Sequence, residues 1–275
     1  MEKIFETIAS GSDLPKDMKS YLYSLGLSVT LVKKAKYGGI LLNGNAVTVR
    51  ARVNEGDKIE IYLPKAKSDG IPAMDIPIRV LYEDDDLLAV DKPVNMPTHP
   101  SKGNNLPTLA NAVMGYYGGD FVFRSVNRLD RDTSGIVIIA KNQISASALS
   151  ASMKKGLWHK EYNALVDGIF EEKEGTVDAP IERIADGNIK REVRPDGKRA
   201  ITKYRVIEEK KDCSLCSITL LTGRTHQIRV HMSYIGHPLC SDFLYGVPSD
   251  KEYFLRCVKI SFPHPKTNEK IIINI

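Results

Sequence analysis

The chain has 275 residues, of which 42% are hydrophobic and 27% charged, with a net charge of +5. That length suits one large domain, or a large and a small one, and either can bury a substantial core. The apolar content excludes a disordered chain, and no apolar run approaches the roughly 20 residues that a membrane helix needs.

The first residues, Met1 to Thr7, lack both the basic start and the long apolar stretch of a secretory signal, so a cytoplasmic location is expected. From Met18 to Asn54 there is no acidic residue, whereas Lys19, Lys33, Lys34, Lys36, Arg50 and Arg52 are basic. A one-signed stretch within a folded segment attracts phosphates. Tyr21, Leu22, Leu25, Leu27 and Leu31 give an imperfect helical face, and Gly38-Gly39 ends a second helix. Strands at Ile40–Leu42 and Ala46–Val49 flank Asn43-Gly44-Asn45, a hairpin signal, and Glu55-Gly56-Asp57 turns the chain into the alternating strand Lys58–Leu63. This stretch resembles the small RNA-binding domain first known from ribosomal protein S four. The resemblance implies that Lys33, Lys34, Lys36 and Arg50 contact RNA. The reading is therefore a small α/β RNA-binding domain over 1–64, a polar, unperiodic Pro- and Gly-bearing linker over 65–72, and a large domain over 73–275.

In the large part, strands are predicted at Leu87–Val90, Ile136–Ile139, Tyr162–Val166, Lys203–Ile207 and Ser214–Leu220, and helices at Ile144–Lys155 and Thr225–Ile235. Strands and helices do not alternate regularly, which predicts an α+β fold with a mixed, largely antiparallel sheet rather than a doubly wound one. Cys213 and Cys216 lie three apart on a strand and so point to opposite faces; with no second pair to complete a zinc site, buried reduced thiols are expected.

Two clusters could carry chemistry. Asn127-Arg128-Leu129-Asp130-Arg131-Asp132-Thr133-Ser134-Gly135 precedes the apolar strand, which would hold a carboxylate firmly and leave it accessible. A surface turn is the plainer alternative. An Asp-x-Asp phosphatase loop should follow its strand rather than precede it, and an aspartic protease needs two Asp-Thr-Gly segments, so neither fits. The second cluster runs from Leu220 to His231, with Thr225 as the expected helix cap. Ile228, Met232 and Ile235 form its core stripe, leaving His226, Arg229 and Ser233 on a neighbouring one, where Arg229 could pair with a carboxylate from elsewhere. His226 and His231 are five apart without a nearby acidic partner, which disfavours a metal site.

In order along the chain, Val80 to Asp84 with Asp91-Lys92-Pro93, Arg128 to Gly135, Lys160-Glu161-Tyr162, Thr222 to His231, and Gly236-His237-Pro238 with Asp242 to Gly246 resemble the Rlu-type RNA pseudouridine synthases. The resemblance implies an enzyme that detaches uracil and rejoins it through carbon within ribosomal or transfer RNA, without cofactor or metal, as a monomer. It further implies that Asp130 is the catalytic aspartate, that Tyr162 stacks on the target base and that Arg229 pairs with Asp130. Arg128 would fill the gap left by the flipped nucleotide, and Arg224 would be a further RNA contact. There are departures from the pattern: Asn127 replaces a usual histidine, Asn95 and Ser241 replace usual glycines, and Arg256-Cys257-Val258-Lys259 lacks a usual Leu-His pair.

Overall fold

The computed structural model describes residues 1–65, 70–101, 107–185 and 187–275. Of the expected linker, residues 66–69 lie outside the described residues. The N-terminal part runs β1 (Glu2–Ile8), β2 (Lys16–Asp17), α1 (Met18–Ser24), α2 (Val29–Ala35), β3 (Ile40–Leu42), β4 (Asn45–Ala46), β5 (Arg52–Val53) and β6 (Lys58–Leu63). Asp17 and Ser28 cap the two helices by accepting backbone N–H groups of Ser20 and Leu31. Strands β1, β6, β3 and β4 form one sheet in that order, and Met18, Leu22, Ile40, Ile59 and Ile61 fill the core between it and the helices. The second hairpin strand is shorter than expected, Asn45–Ala46 in place of Ala46–Val49. Leu25, expected on the helical face, is exposed.

The larger part continues with β7 (Arg79–Glu83), β8 (Leu87–Lys92), α3 (Leu109–Tyr116), β9 (Ser134–Ala140), α4 (Gln143–Lys154), β10 (His159–Asp167), β11 (Glu174–Asp178), β12 (Ile181–Arg183), β13 (Arg191–Val193), β14 (Ile201–Glu209), β15 (Cys213–Leu220), α5 (Gln227–Tyr234), β16 (Leu255–Pro263) and β17 (Lys270–Asn274). Its sheet has the order β11-β14-β15-β10-β16-β9-β8-β7, with β17 beside β16. Every pair is antiparallel except β9 with β16, as the expected mixed, mainly antiparallel sheet requires. All seven residues of β9 are buried, so the apolar run Ile136–Ile139 sits at the centre of the main core. The parallel contact between β9 and β16 depends on Gly135, whose φ of +109° and close approach admit no side chain: a Cβ there would stand 2.2 Å from the Cys257 carbonyl oxygen. Cys213 and Cys216 are buried free thiols on opposite faces of β15.

The two cores meet along α4. Ser28 donates its N–H to Ser147 Oγ at 2.8 Å, and Ile144 packs against the N-terminal core. Among the described residues, no helix is long and apolar enough to cross a membrane.

Candidate active site

The loop ahead of β9 is fixed residue by residue. Asn127 is buried and acts as an extra rung of the sheet: its Oδ1 accepts the Ile138 N–H at 2.8 Å and its Nδ2 donates to the Ile136 carbonyl at 3.0 Å. Thr98 holds both backbone groups of Leu129, donating to its carbonyl at 2.8 Å and accepting its N–H at 3.2 Å. Lys92, with no exposed surface, donates from Nζ to the carbonyls of Pro93, Met96 and Arg131 at 2.8, 2.7 and 3.0 Å. Burial lowers its pKa to about 8, against the opposing pull of Asp132 and Asp130. Asp130 therefore sits between two anchored residues with its carboxylate about one-third exposed at 34%.

That carboxylate opens into a cleft of about 690 Å³, which Arg128, Tyr162, Arg224, His226 and Arg229 also line. Tyr162 comes from β10 and only 6% of its surface remains exposed, on the floor of the cleft. Its burial raises the phenol pKa well above the ordinary value, with Cys257 and Asp130 adding to the effect. Arg128 is exposed. Arg224, also exposed, is tethered at the rim by its Nε donating to the Arg199 carbonyl at 3.0 Å. Lys33, Lys34, Lys36 and Arg50 do not line this cleft; all four are exposed on the N-terminal part.

Arg229 does not pair directly with Asp130. Its guanidinium grips Asp242 instead, Nε to Oδ2 at 2.7 Å and Nη2 to Oδ1 at 2.6 Å, with the two side chains 4% and 0% exposed. Phe243, Tyr245 and Tyr253 surround the cation at 5.1 to 5.9 Å. A fully buried carboxylate needs such a fork, whereas Asp130 retains contact with solvent. Burial opposes the arginine charge, yet the hydrogen bond to Asp242 and the nearby Tyr253, Asp242 and Asp130 outweigh it and raise the pKa. Arg229 thus commits its charge to Asp242 rather than to Asp130.

The group facing Asp130 is His226, Nε2 to Oδ2 at 3.9 Å, too long for a hydrogen bond. Helix α5 begins at Gln227 rather than at Thr225, and its N-cap is His226 at φ +57° with no side-chain cap bond. The difference follows from Gln227, whose buried amide oxygen accepts the Arg224 N–H and the Thr222 hydroxyl, so the turn closes two residues late. The left-handed backbone at His226 swings its ring toward the cleft. Tyr245 Oη accepts the Arg191 backbone N–H at 2.8 Å and lies 2.8 Å from His226 Nδ1. Tyr245 thereby fixes the ring of His226 with Nε2 toward Asp130. Burial keeps this imidazole below its ordinary pKa, with Asp130 opposing and Arg229 reinforcing.

His231 belongs to the core, with Nδ1 against Thr202 Oγ1 at 2.9 Å and Nε2 against the Ala179 carbonyl at 2.9 Å. Among the described residues, no group of three His, Cys, Asp or Glu could hold a metal ion. Asn95 and Ser241, at positions where glycine is usual in the resembling family, have φ of +60° and +53°. Asn tolerates that region, and Ser241 is held there by its hydroxyl, which donates to the Lys251 carbonyl at 2.6 Å and lies 2.9 Å from the Ser249 hydroxyl. Lys92, Thr98, Asp242 and Tyr245 complete the site; the sequence marks Lys92, Asp242 and Tyr245 only as members of ordered motifs and Thr98 not at all.

A family model for RNA pseudouridylate synthase matches residues 86–234. The uncharacterised RNA pseudouridine synthase YjbO of Bacillus subtilis is 40% identical, over 92% of this chain and 93% of that one. Ribosomal large subunit pseudouridine synthase D of Haemophilus ducreyi is 38% identical over 77% of this chain and 64% of that one. Among solved structures, human RNA pseudouridylate synthase domain containing 1 superposes with a TM-score of 0.63 at 25% identity, covering 74% of this chain and 85% of that one.

Proposed function

This chain belongs to the RNA pseudouridylate synthase family and is an RNA pseudouridine synthase, and on that premise we propose that Asp130 is its catalytic carboxylate. The observation that carries the reading is the fixed, part-exposed Asp130 in a cleft shared with Tyr162, His226 and Arg229. Base flipping costs a few kcal/mol and needs a pocket that holds the extruded base by stacking and edge contacts. Tyr162 at the floor offers the stacking surface, and Arg128 at the mouth fills the gap in the RNA. Cleaving the bond between uracil N1 and ribose C1′ leaves positive character on the sugar and negative charge on the base. An ionised Asp130 beside the ribose serves this step whether it adds to the sugar or removes a proton from it. The base then turns and rejoins through C5, whose proton is released.

His226 borders the carboxylate with Nε2 3.9 Å from Oδ2, and Arg229, paired with Asp242, leaves Asp130 free of a direct ion pair with it. The substrate is a structured RNA in the cytoplasm, with ribosomal RNA favoured by the ribosomal large subunit synthases among the relatives, and the enzyme acts as a monomer. The basic N-terminal part, residues 1–64, forms the RNA-binding domain beside a catalytic domain over 73–275. The test is single-turnover tritium release from total RNA labelled at uracil C5, with carbodiimide-dependent primer-extension stops to map the new pseudouridines. Asp130→Asn is expected to abolish release while circular dichroism stays unchanged. Substantial release by a folded Asp130→Asn protein sinks the assignment.

A further inference from the structure

Among the described residues of the large part, burial lowers the pKa of two lysines, Lys92 and Lys160, and they differ in one respect. Lys92 gives its three donors to three carbonyls. Lys160 lies on β10 with Tyr162, and both line the cleft together with Trp158 just ahead of the strand, as alternate residues of an extended segment should when one face borders it. Burial pushes the Lys160 ammonium below its ordinary pKa. Among the described residues it has no hydrogen bond and no carboxylate partner; the one ionisable group acting on it is the Cys257 thiol. An ammonium taken from water without acceptors costs stability, and a Met at this position would pack as well without that cost.

Its direction narrows what could repay the cost. A Cβ on Gly223 would stand 3.6 Å from Lys160 Nζ, so the ammonium lies beside the bare backbone of the Thr222–His226 loop. The ammonium therefore stands at the wall of the cleft formed by this loop, which also carries Arg224. Each nucleotide of the substrate brings a phosphate, and a flipped uridine carries one on either side.

We propose that Lys160, exposed to the cleft by the missing side chain of Gly223, is a subsite for one backbone phosphate flanking the target uridine. The inference rests on the synthase reading given above. It assigns the lysine to substrate binding and not to the chemistry at the base. The desolvation cost in the free protein is offset when the phosphate arrives, because a charge-assisted hydrogen bond supplies the acceptor that the ammonium lacks.

The test uses the RNA stem-loop around the uridine mapped by carbodiimide stops, unmodified and with a single uncharged methylphosphonate on one or the other side of that uridine. Tritium release by the wild type is measured first, so a failure of the synthase reading appears there and not in the binding arms. Lys160→Met should melt a few degrees higher than wild type, because an unpaired buried cation has been removed. It should bind the stem-loop about tenfold more weakly at physiological salt, the usual scale of a charge-assisted contact, with a salt slope smaller by about 0.7–0.9. One of the two methylphosphonates should cost the wild type the same factor and cost Lys160→Met nothing further. Gly223→Val should mimic the binding loss with the charge intact, by covering the ammonium. Equal methylphosphonate penalties in wild type and Lys160→Met overturn the proposal. So does a Lys160→Met protein with wild-type affinity and salt slope but slowed tritium release, since that would place the ammonium on the uracil.

Discussion

The bidentate grip of Arg229 on Asp242 makes these two residues unlike Asp130 in what a substitution does. Removing either partner strands the other charge in a core where both are nearly inaccessible, a loss of about 3–5 kcal/mol. Arg229→Met and Asp242→Asn should each lower the urea midpoint strongly, whereas Asp130→Asn, whose carboxylate is part-exposed, should leave it nearly unchanged. Urea melts of the three variants check this, and a stable, inactive Arg229→Met would return the arginine to a direct role. Lys92 yields a prediction in pH. Its folded pKa of about 8 lies below the ordinary 10.5, so the folded protein releases this proton before the unfolded chain does. The cost of burying the charge is fully present below about pH 8 and is relieved as pH rises from there toward 10.5. Lys92→Met leaves three carbonyls without their donor and should be less stable at pH 7, and its deficit relative to wild type should widen between pH 8 and 10. A constant gap in melting temperature across that range contradicts the assignment. At this scale the polar cluster ahead of an apolar strand is legible as a fixed, accessible loop, while the choice of Asp130 within it rests on the family resemblance. Asp242 was not identifiable as the partner of Arg229, since nothing in local spacing says which of several carboxylates is buried.

Among the elements, β9 matters most, because its first residues set the loop that presents Asp130. Gly135→Ala must push a Cβ against the Cys257 carbonyl and hold an unfavourable φ, so β9 and β16 have to separate. The expected result is a loss of about 2–4 kcal/mol with turnover falling more than tenfold, read by urea denaturation and single-turnover release. An active, stable Gly135→Ala variant would show that the loop is not positioned through this contact. Apolar runs such as Ile136–Ile139 declare themselves in sequence because a fully buried strand must be apolar on both faces. Strand β1 and helix α3 passed unnoticed for opposite reasons. Glu2–Ile8 has no clean alternation and acquires its conformation from β6, far along the chain. Leu109–Tyr116 starts with a Thr108–Asn111 capping box, and Asn is a weak signal there compared with Glu or Gln.

Across the whole molecule, the N-terminal part adds exposed positive charge to that of the cleft. Lys33, Lys34, Lys36 and Arg50 are exposed, and Lys36 lies 5.1 Å over the ring of Tyr37, which is 81% exposed and free to stack on a base. This part is also docked on α4 through Ser28 and Ile144, so deleting it would uncover an apolar side chain and confuse binding with folding. Neutralising the four cations in the full-length chain avoids that difficulty. If each meets one phosphate, replacing all four by Gln should reduce the salt slope of log K by about 3, with a large loss of affinity at physiological salt. Turnover on a saturating short stem-loop should hold, because none of the four residues lines the cleft. Salt titrations of RNA binding for wild type and the four-fold variant, with circular dichroism to confirm folding, decide the matter. An unchanged slope would mean that phosphates are held by the cleft alone, and the acid-free stretch from Met18 to Asn54 would then be no more than a solvated surface.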